Sequence, residues 1–254
     1  MTVAIPLICA APVRKLAVIA ALAALSACGP APAPTGIDDP YERENRGTHQ
    51  FNLMMDQKVL SPLSQVMGSG NGPISRGISN FGGNLGLPGD VVNNLLQFRI
   101  GRATHNTLRF AINSTVGIAG LFDPATAVGV PAKKTDFGET LHVWGVGEGA
   151  YLELPLLGPS TQRDALGSVV DLALDPVNHL VPKPESYIGT MAKLAARLGD
   201  RARYSATVDS ILYGSADSYA QARLLYLQNR RYELGQTTGE GADFEDPYED
   251  PYGE

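Results

Sequence analysis

Cys28 is the residue whose position most clearly suggests covalent chemistry. It follows Leu25-Ser26-Ala27, small residues that end an apolar run from Leu16 to Leu25, and Arg14-Lys15 precede that run. A positive start, a short apolar stretch and a small-residue end are typical of a secretory signal peptide. The run is too short to span a bilayer, which takes about 20 apolar residues. A buried core helix would explain neither the positive flank nor the boundary, so we predict that residues 1–27 are a signal peptide.

The four residues Leu25-Ser26-Ala27-Cys28 resemble a bacterial lipobox. In such a box the cysteine thiol accepts a diacylglycerol group, the leader is removed, and the cysteine becomes an N-terminus that carries acyl chains such as palmitate. We therefore predict lipidation at Cys28, with a coincidental cysteine as the alternative. Gly29 stands where an aspartate would direct a lipoprotein to the inner membrane, which favours the outer membrane. Translation from Met1 or from a start near Val13 gives the same mature chain.

Other patterns that could perform chemistry are weak. The four histidines lie far apart and form no pair at metal-ligand spacing: His49, His105, His142 and His179. No nucleophile elbow, phosphate loop or dinucleotide fingerprint occurs. Asp164 and Asp171 could be a carboxylate pair, but we interpret them as a solvated helix face. We expect no enzyme activity, metal or cofactor. A net charge of −6 without a basic stripe argues against nucleic acid as a partner.

Helical periodicity returns several times along the chain. Asp39 is predicted to cap a first helix that stops near Ser61-Pro62. The glycine-rich stretch from Gly68 to Gly89 predicts a break, with a short amphipathic piece around Ile74 and Ile78. Asp90 is then expected to cap a second helix that ends at Asn113. The centre, residues 136–164, predicts loops with short pieces of structure, and three further helical segments follow it (165–175, 186–200 and 216–234).

The remaining segments divide the chain. Residues 28–37 are predicted to be a semi-rigid proline-rich tether, residues 38–234 the helical body, and residues 235–254 a disordered acidic tail that is dispensable for membrane insertion. Gly189 and Gly214 interrupt helical segments and are candidate hinges. The alternative is that such glycines are ordinary helix C-caps, which for Gly199 and Gly214 is at least as good an interpretation.

Many separated motifs resemble the MlaA (VacJ) family of outer-membrane lipoproteins. In chain order they include Asp39-Pro40-Tyr41-Glu42, Ser79-Asn80-Phe81, Asn113-Ser114, Asp123-Pro124, Asp136-Phe137-Gly138, Trp144-Gly145-Val146, Gly158-Pro159, Arg163-Asp164, and Tyr226-Leu227-Gln228 with Arg230. The resemblance covers nearly the whole mature chain apart from the tether and the tail.

The resemblance implies a fold and a function. The fold would be a mostly α-helical ring of amphipathic helices in the inner leaflet of the outer membrane, with a central polar channel. The family implies removal of mislocalised phospholipid from the outer leaflet, its transfer to a soluble periplasmic carrier similar to MlaC, and trimeric porins as companions. The alternative is an accessory envelope lipoprotein that binds porins without moving lipid. We predict that residues 186–233 control the pore.

Overall fold

The computed structural model describes residues 29–66, 72–177 and 186–236. Cys28, the predicted signal peptide and residues 237–254 of the predicted tail lie outside the described residues. Within them the protein is mostly α-helical, which confirms the predicted class. The helices are α1 (Glu42–Met55), α2 (Ser61–Val66), α3 (Pro73–Leu96), α4 (Ile100–Thr115), α5 (Pro124–Ala127), α6 (Phe137–Val143), α7 (Gln162–Leu174), α8 (Ser186–Arg203), α9 (Ser205–Leu212) and α10 (Ser218–Glu233). A π-helical turn, Asp56–Leu60, joins α1 to α2, and strands β1 (Tyr151–Leu154) and β2 (Gly158–Thr161) form a hairpin.

The first helix differs from its prediction at both ends. It begins at Glu42 after Tyr41, and Asp39 does not cap it. The Asp39 carboxylate instead accepts hydrogen bonds from Asn45 (2.9 Å) and from the hydroxyl of Tyr219 (2.5 Å). Helical structure also continues past the predicted stop at Ser61-Pro62. The proline lies in the first turn of α2, directly after the π-helical turn, where a missing N–H is tolerated.

The glycine-rich stretch is helical from Pro73 onwards, contrary to our prediction. Residues 73–96 form one 24-residue helix, so Asp90 lies inside α3 and caps nothing. Packing against α8 explains Gly82, since a Cβ atom there would lie 2.8 Å from the carbonyl oxygen of Ala192. Gly199 of α8 also lies close to α3, where its Cβ would be 3.1 Å from the Ser79 hydroxyl. Because Gly199 is inside α8, it is not a C-cap.

The second predicted helix is in fact two helices. Its residues are divided between α3, which ends at Leu96, and α4, which begins at Ile100. Phe98 between them has a φ of 57°, a left-handed conformation that a helix does not continue through. A spacing pattern does not reveal this backbone reversal, because the apolar residues on both sides keep helical spacing.

The β-hairpin lies beside α1 in the otherwise irregular centre. Its strands are antiparallel, with Tyr151 opposite Thr161 and Leu154 opposite Gly158. Asn45 of α1 completes the edge of β1, since its side-chain amide donates to the carbonyl of Tyr151 (3.1 Å) and its side-chain oxygen accepts from the N–H of Glu153 (2.9 Å). These two bonds fix the position of the hairpin against α1.

A small core lies where α10 crosses the hairpin. Tyr151, Tyr219 and Leu227 are almost fully buried there, and the two tyrosine rings meet edge to face at 5.9 Å. Polar groups surround the two tyrosine rings. We call these groups and the tyrosines together the hub, which consists of Asp39, Asn45, His49, Tyr151, Glu153 and Tyr219. The Tyr151 hydroxyl donates to Glu153 at 2.5 Å, and the His49 ring lies within 3.2 Å of the same carboxylate.

The predicted tether contacts the body. Ala31 is buried, and its N–H donates to the carbonyl of His142 (3.0 Å). Gln236, which we assigned to the tail, is also buried and donates to the carbonyls of Ala31 (3.1 Å) and Pro32 (2.9 Å). Arg231 donates to the carbonyl of Gly36 at 2.6 Å. Residues 31–36 therefore lie against the ends of α6 and α10, and the body extends to Gln236.

Candidate functional site: a charged cavity

A cavity of about 810 Å³ lies between α3, the hairpin, α7, α8 and α10. Its lining contains charged side chains of both signs together with leucines of the hairpin turn. The charged members are Asp90, Asp136, Asp164, Asp171, Asp175, Lys193, Arg197, Arg230 and Glu233. Five helices and their caps, α3, α6, α7, α8 and α10, contribute them, so the cavity exists only in the folded chain.

Arg230 joins two carboxylates of the cavity wall. Its guanidinium donates to Asp136 (2.7 Å) and to both oxygens of Asp164 (3.0 and 3.1 Å). Tyr226, one turn earlier on α10, donates its hydroxyl to Asp164 at 2.7 Å. Burial raises the pKa of Asp164, but the hydrogen bonds and charge of Arg230 outweigh it and hold that pKa below its usual range. Our interpretation of Asp164 as part of a solvated helix face is wrong, since only 9% of its side chain is exposed.

Helix capping fixes these carboxylates in place. Asp136 is the N-cap of α6 and accepts from the N–H of Glu139 at 2.7 Å. Asp164 lies in the first turn of α7, where Thr161 is the N-cap and accepts from the N–H of Asp164 at 3.2 Å. Carboxylates at helix N-termini also interact favourably with the helix dipole. The acidic wall is thus set by local sequence at the start of two helices.

Among the described residues, Asp90 and Asp171 have no cation within ion-pair distance. Asp171 accepts hydrogen bonds from the amide of Asn93 (2.8 Å) and the N–H of Phe137 (2.9 Å). Asp90 accepts from the N–H of Thr135 at 3.3 Å. Burial raises the pKa of both carboxyls, to about 7 for Asp90. The charge of Asp136 raises both pKa values further, and the charge of Asp171 also raises that of Asp90. Asp90 thus changes charge near neutral pH.

The part of the cavity wall that α8 contributes is basic. Lys193 pairs with Asp175 at 2.5 Å. Arg197, one turn further along the same face, lines the cavity and forms no ion pair or hydrogen bond within the described part of the chain. Among the residues that the structure describes, the cavity therefore contains two carboxylates, Asp90 and Asp171, and one guanidinium, Arg197, without an ion pair.

Four of the predicted motif residues lie at or beside this cavity. Phe137 and Gly138 begin α6, where a Cβ at Gly138 would lie 2.4 Å from the Asp164 carboxylate and one at Gly167 would lie 2.4 Å from the N–H of Gly138. Only glycine permits this approach of α6 to α7. Gly158 begins β2 with a φ of +81°, and Pro159 lines the cavity.

The other motif residues stabilise a loop away from the cavity. Asn113 donates to Asp123 (3.0 Å) and accepts from the N–H of Ala125 (3.0 Å), while Asp123 caps α5, which begins at Pro124. Ser114 accepts from the Asn84 amide at 3.0 Å. Asn80 donates to the carbonyl of Leu121 at 3.2 Å, and Phe81 lies on α3 beside it, half-buried. The structure thus separates the motifs into a cavity group and a loop group.

The candidate hinges lie at the two ends of the α8–α9 region. Gly189 is in the first turn of α8. Gly214 follows α9, and its N–H lies 3.2 Å from the carbonyls of both Asp209 and Ser210, as at a helix C-terminus. Their role as hinges stays a prediction.

Sequence reasoning missed Asp90, Arg197 and the role of Arg230. Asp136, Asp164 and Arg230 belong to motifs that carry the family resemblance, and that resemblance was the sequence signal that these residues matter. Asp90 was assigned to helix capping, and Arg197 has no motif around it. Their shared location follows from the packing of α8 on α3.

The outer surface is unusually apolar and the interior unusually polar. Among the described residues, twenty buried side chains are polar or charged and nine are apolar, counting alanines, while thirty-two large apolar side chains are exposed. Phe98, Val116 and Leu172 are 86%, 71% and 70% exposed. A water-soluble protein normally shows the opposite distribution. No helix in the described ranges has both the length and the hydropathy needed to cross a bilayer.

Comparison with known proteins identifies the family. The sequence model described as MlaA lipoprotein matches residues 37–233. The Intermembrane phospholipid transport system lipoprotein MlaA of Escherichia coli (strain K12) is 31% identical over 206 residues, 78% of each chain, and that of Shigella flexneri is 32% identical with the same coverage. A solved structure described as "Structural basis for maintenance of bacterial outer membrane lipid asymmetry" aligns with a TM-score of 0.62 at 28% identity, covering 77% of this chain and 98% of the other. The chain therefore belongs to the MlaA lipoprotein family.

Proposed function

We propose that this chain is an outer-membrane lipoprotein, anchored through Cys28, that removes mislocalised phospholipid from the outer leaflet and passes it to a soluble periplasmic carrier. The names of the Escherichia coli and Shigella flexneri relatives support a role in intermembrane phospholipid transport. The work on the similar solved structure concerns outer-membrane lipid asymmetry. A trimeric porin is the proposed companion in the membrane.

The observation that carries this proposal is the inverted distribution of polar and apolar side chains. Exposed side chains such as Phe98, Val116 and Leu172 would contact acyl chains, and helices in the plane of the leaflet suit this role better than spanning helices. Irregular backbone at membrane depth is tolerated where it borders a polar cavity. We therefore infer a ring of helices in the inner leaflet, with the charged cavity as its channel.

The cavity would lower the barrier to movement of a lipid headgroup. A charged phosphate that enters an apolar layer without partners loses its hydration at a cost of several kcal/mol or more. Charged side chains of the cavity would replace part of that hydration, while the leucines Leu156, Leu157 and Leu172 at its edge offer apolar contact to the acyl chains. No bond is made or broken in this step, so the protein acts as a passage and not as an enzyme.

Obstruction of the cavity tests the proposal. Ser168 lines the cavity and is exposed on α7, so Ser168→Trp should narrow the passage without disturbing the core. Ser210→Trp, at an exposed site on α9 away from the cavity, is the matched control. Deletion cells complemented with each variant would be assayed for surface-exposed phospholipid, with the protein level measured in parallel.

Three outcomes separate the hypotheses. Raised surface phospholipid in the deletion strain and with Ser168→Trp, but not with the control, supports lipid movement through the cavity. An intact lipid distribution with altered porin assembly in the deletion strain would favour the accessory role. Raised phospholipid in the deletion strain alone, with both tryptophan variants active, would place the lipid path elsewhere on the protein.

A further inference from the structure

The cavity of about 810 Å³ is lined by charged side chains of both signs, which come from different helices. Asp90 and Asp171 contribute negative charge from α3 and α7, and Arg197 contributes positive charge from α8. Of the other charges of the cavity, Arg230 pairs with Asp136, Asp164 and Glu233, and Lys193 pairs with Asp175, so this group is net negative. Within the described ranges, Asp90, Asp171 and Arg197 are the charged lining residues without an ion pair.

Packing of α8 on α3 sets the distance between these charges. Gly82 touches Ala192 and Ala196, while Gly199 touches Ser75 and Ser79, so the two helices run antiparallel. Asp90 lies eight residues beyond Gly82 along α3, about 12 Å at 1.5 Å per residue. Arg197 follows Ala196 on α8 and is therefore offset from Asp90 along the cavity. The flexible side chain of Arg197 covers part of this offset. One compact ion cannot contact both groups, but a headgroup with separated charges can.

We propose that the cavity selects phospholipids whose headgroup carries both a phosphate and an ammonium group, with Arg197 contacting the phosphate and Asp90 and Asp171 contacting the ammonium. This inference rests on the proposed transport function and adds a headgroup preference to it. A headgroup with phosphate alone satisfies Arg197 and leaves the acidic wall without a counter-charge.

The acidic wall suits an ammonium group because its carboxylates are already desolvated. A buried carboxylate without a cation is an unfavourable arrangement, and an opposite charge within hydrogen-bond distance relieves it. Burial raises the pKa of Asp90, and the charges of Asp136 and Asp171 raise it further, whereas the nearby cation Lys134 lowers it. At pH 8 the Asp90 carboxyl is mostly ionised and available to a cationic headgroup.

Binding of short-chain lipids to the purified, lipidated full chain in non-ionic detergent tests the proposal. Dihexanoyl phosphatidylethanolamine and dihexanoyl phosphatidylglycerol differ in the ammonium group, and calorimetric titration at pH 8 gives both affinities. We expect the ethanolamine lipid to bind about tenfold more tightly, the effect of one charge-assisted hydrogen bond. Phosphoethanolamine without acyl chains is the third ligand, expected to bind more weakly than the lipid.

Variants assign the preference to residues. Asp90→Asn is isosteric and keeps an acceptor for the Thr135 N–H, so it should reduce the preference to about twofold or less while the thermal unfolding temperature is no lower than that of the wild type. Arg197→Gln should weaken both lipids to a similar degree. Asp200→Asn, on the exposed side of α8, and Arg43→Gln, at a side chain 92% exposed, are the matched controls and should leave both affinities unchanged.

Each other result overturns the inference in a distinguishable way. Equal affinity for the two lipids would remove the headgroup preference and leave phospholipid transport standing. An unchanged preference in Asp90→Asn would remove the assignment to the acidic wall. Binding of phosphoethanolamine as tight as that of the lipid would make the site one for a soluble phosphate ester. Absence of binding by both lipids would overturn this inference and count against the proposed function.

Discussion

The two ends of α10 contact polar regions of different character. Its N-terminal half contributes Tyr219 to the hub, where each hydroxyl and carboxylate has a close partner: Tyr219 with Asp39, and Tyr151 and His49 with Glu153. Its C-terminal half contributes Tyr226 and Arg230 to the cavity, where Asp90 and Asp171 form no ion pair with any cation in the part of the chain that the structure describes.

This difference separates stability from ligand binding within one helix. Buried polar groups that are fully hydrogen-bonded specify a unique arrangement, and removal of one partner leaves the other unsatisfied at a cost of about 1–3 kcal/mol. Partly desolvated charges that line a cavity without an ion pair are available to a ligand, because binding of an opposite charge relieves their desolvation. The hub therefore holds the hairpin and α1 against α10, while the cavity keeps charges free.

The largest expected effect comes from the hub. Tyr151→Ala removes a ring that is 1% exposed, its edge-to-face contact with Tyr219 and its hydrogen bond to Glu153. We expect the free energy of unfolding to fall by about 3–5 kcal/mol. Urea unfolding in detergent measures it, with Tyr232→Ala, at a site 73% exposed, as the control. Similar losses in both variants would contradict the role of the hub.

A smaller, pH-dependent effect is expected from the cavity. The pKa of Asp90 is about 7 in the folded chain, above the unfolded value near 4, so the folded state binds more protons between these values. Stability should therefore decrease as the pH rises from about 4 to 7. Asp90→Asn should remove this decrease and be more stable than the wild type at pH 8, by at most about 4 kcal/mol.

Free energies of unfolding at pH 5 and pH 8 measure this effect. Asp200→Asn replaces an exposed carboxyl on α8 and serves as the control. The same pH dependence in Asp90→Asn as in the wild type would show that another group causes it.

Two truncations, one residue apart, test how far the body extends. Removal of the chain after Gln236 should leave stability unchanged. Removal after Gly235 also deletes the side chain that donates to the carbonyls of Ala31 and Pro32, and should cost about 1 kcal/mol and loosen the N-terminal segment. Thermal unfolding and proteolysis of residues 29–36 compare the two. Equal behaviour would mean that the contact adds little to the body.

The smallest effect on stability is expected at the candidate hinges. Gly189→Ala and Gly214→Ala should change the free energy of unfolding by about 1 kcal/mol or less. If the glycines act as hinges, surface-exposed phospholipid should rise while protein abundance and fractionation stay normal. A fall in abundance in proportion to the lipid defect would indicate a structural role, and a normal lipid distribution would remove the gating hypothesis.

The agreement between sequence and structure depends on the range of the interactions. The three helical segments predicted after residue 164 correspond to α7, α8 and α10, because an apolar stripe is a local signal, whereas α9 was not predicted. The stretch from Gly68 to Gly89 was predicted wrongly because glycine disfavours an isolated helix by about 1 kcal/mol per residue. In α3 that cost is offset by close contact of Gly82 with Ala192, which no local pattern reveals.

The sequence alone determined the class of the protein. A signal-peptide pattern ending at Cys28, amphipathic helices and motifs in family order were sufficient to predict a mostly helical member of the MlaA family, and both expectations are confirmed. These properties are readable because each depends on residues close together in the chain, or on a linear order of motifs.

Only the tertiary structure decided which residues share a site. Asp90 and Arg197 belong to one cavity because α8 packs antiparallel on α3, and Asp164 is buried and paired instead of solvated because Arg230 reaches it from a helix 66 residues away. Whether a carboxylate is exposed, paired or desolvated depends on neighbours brought together by packing. In the sequence alone, the segments that carry these charged residues look like ordinary solvated helix faces.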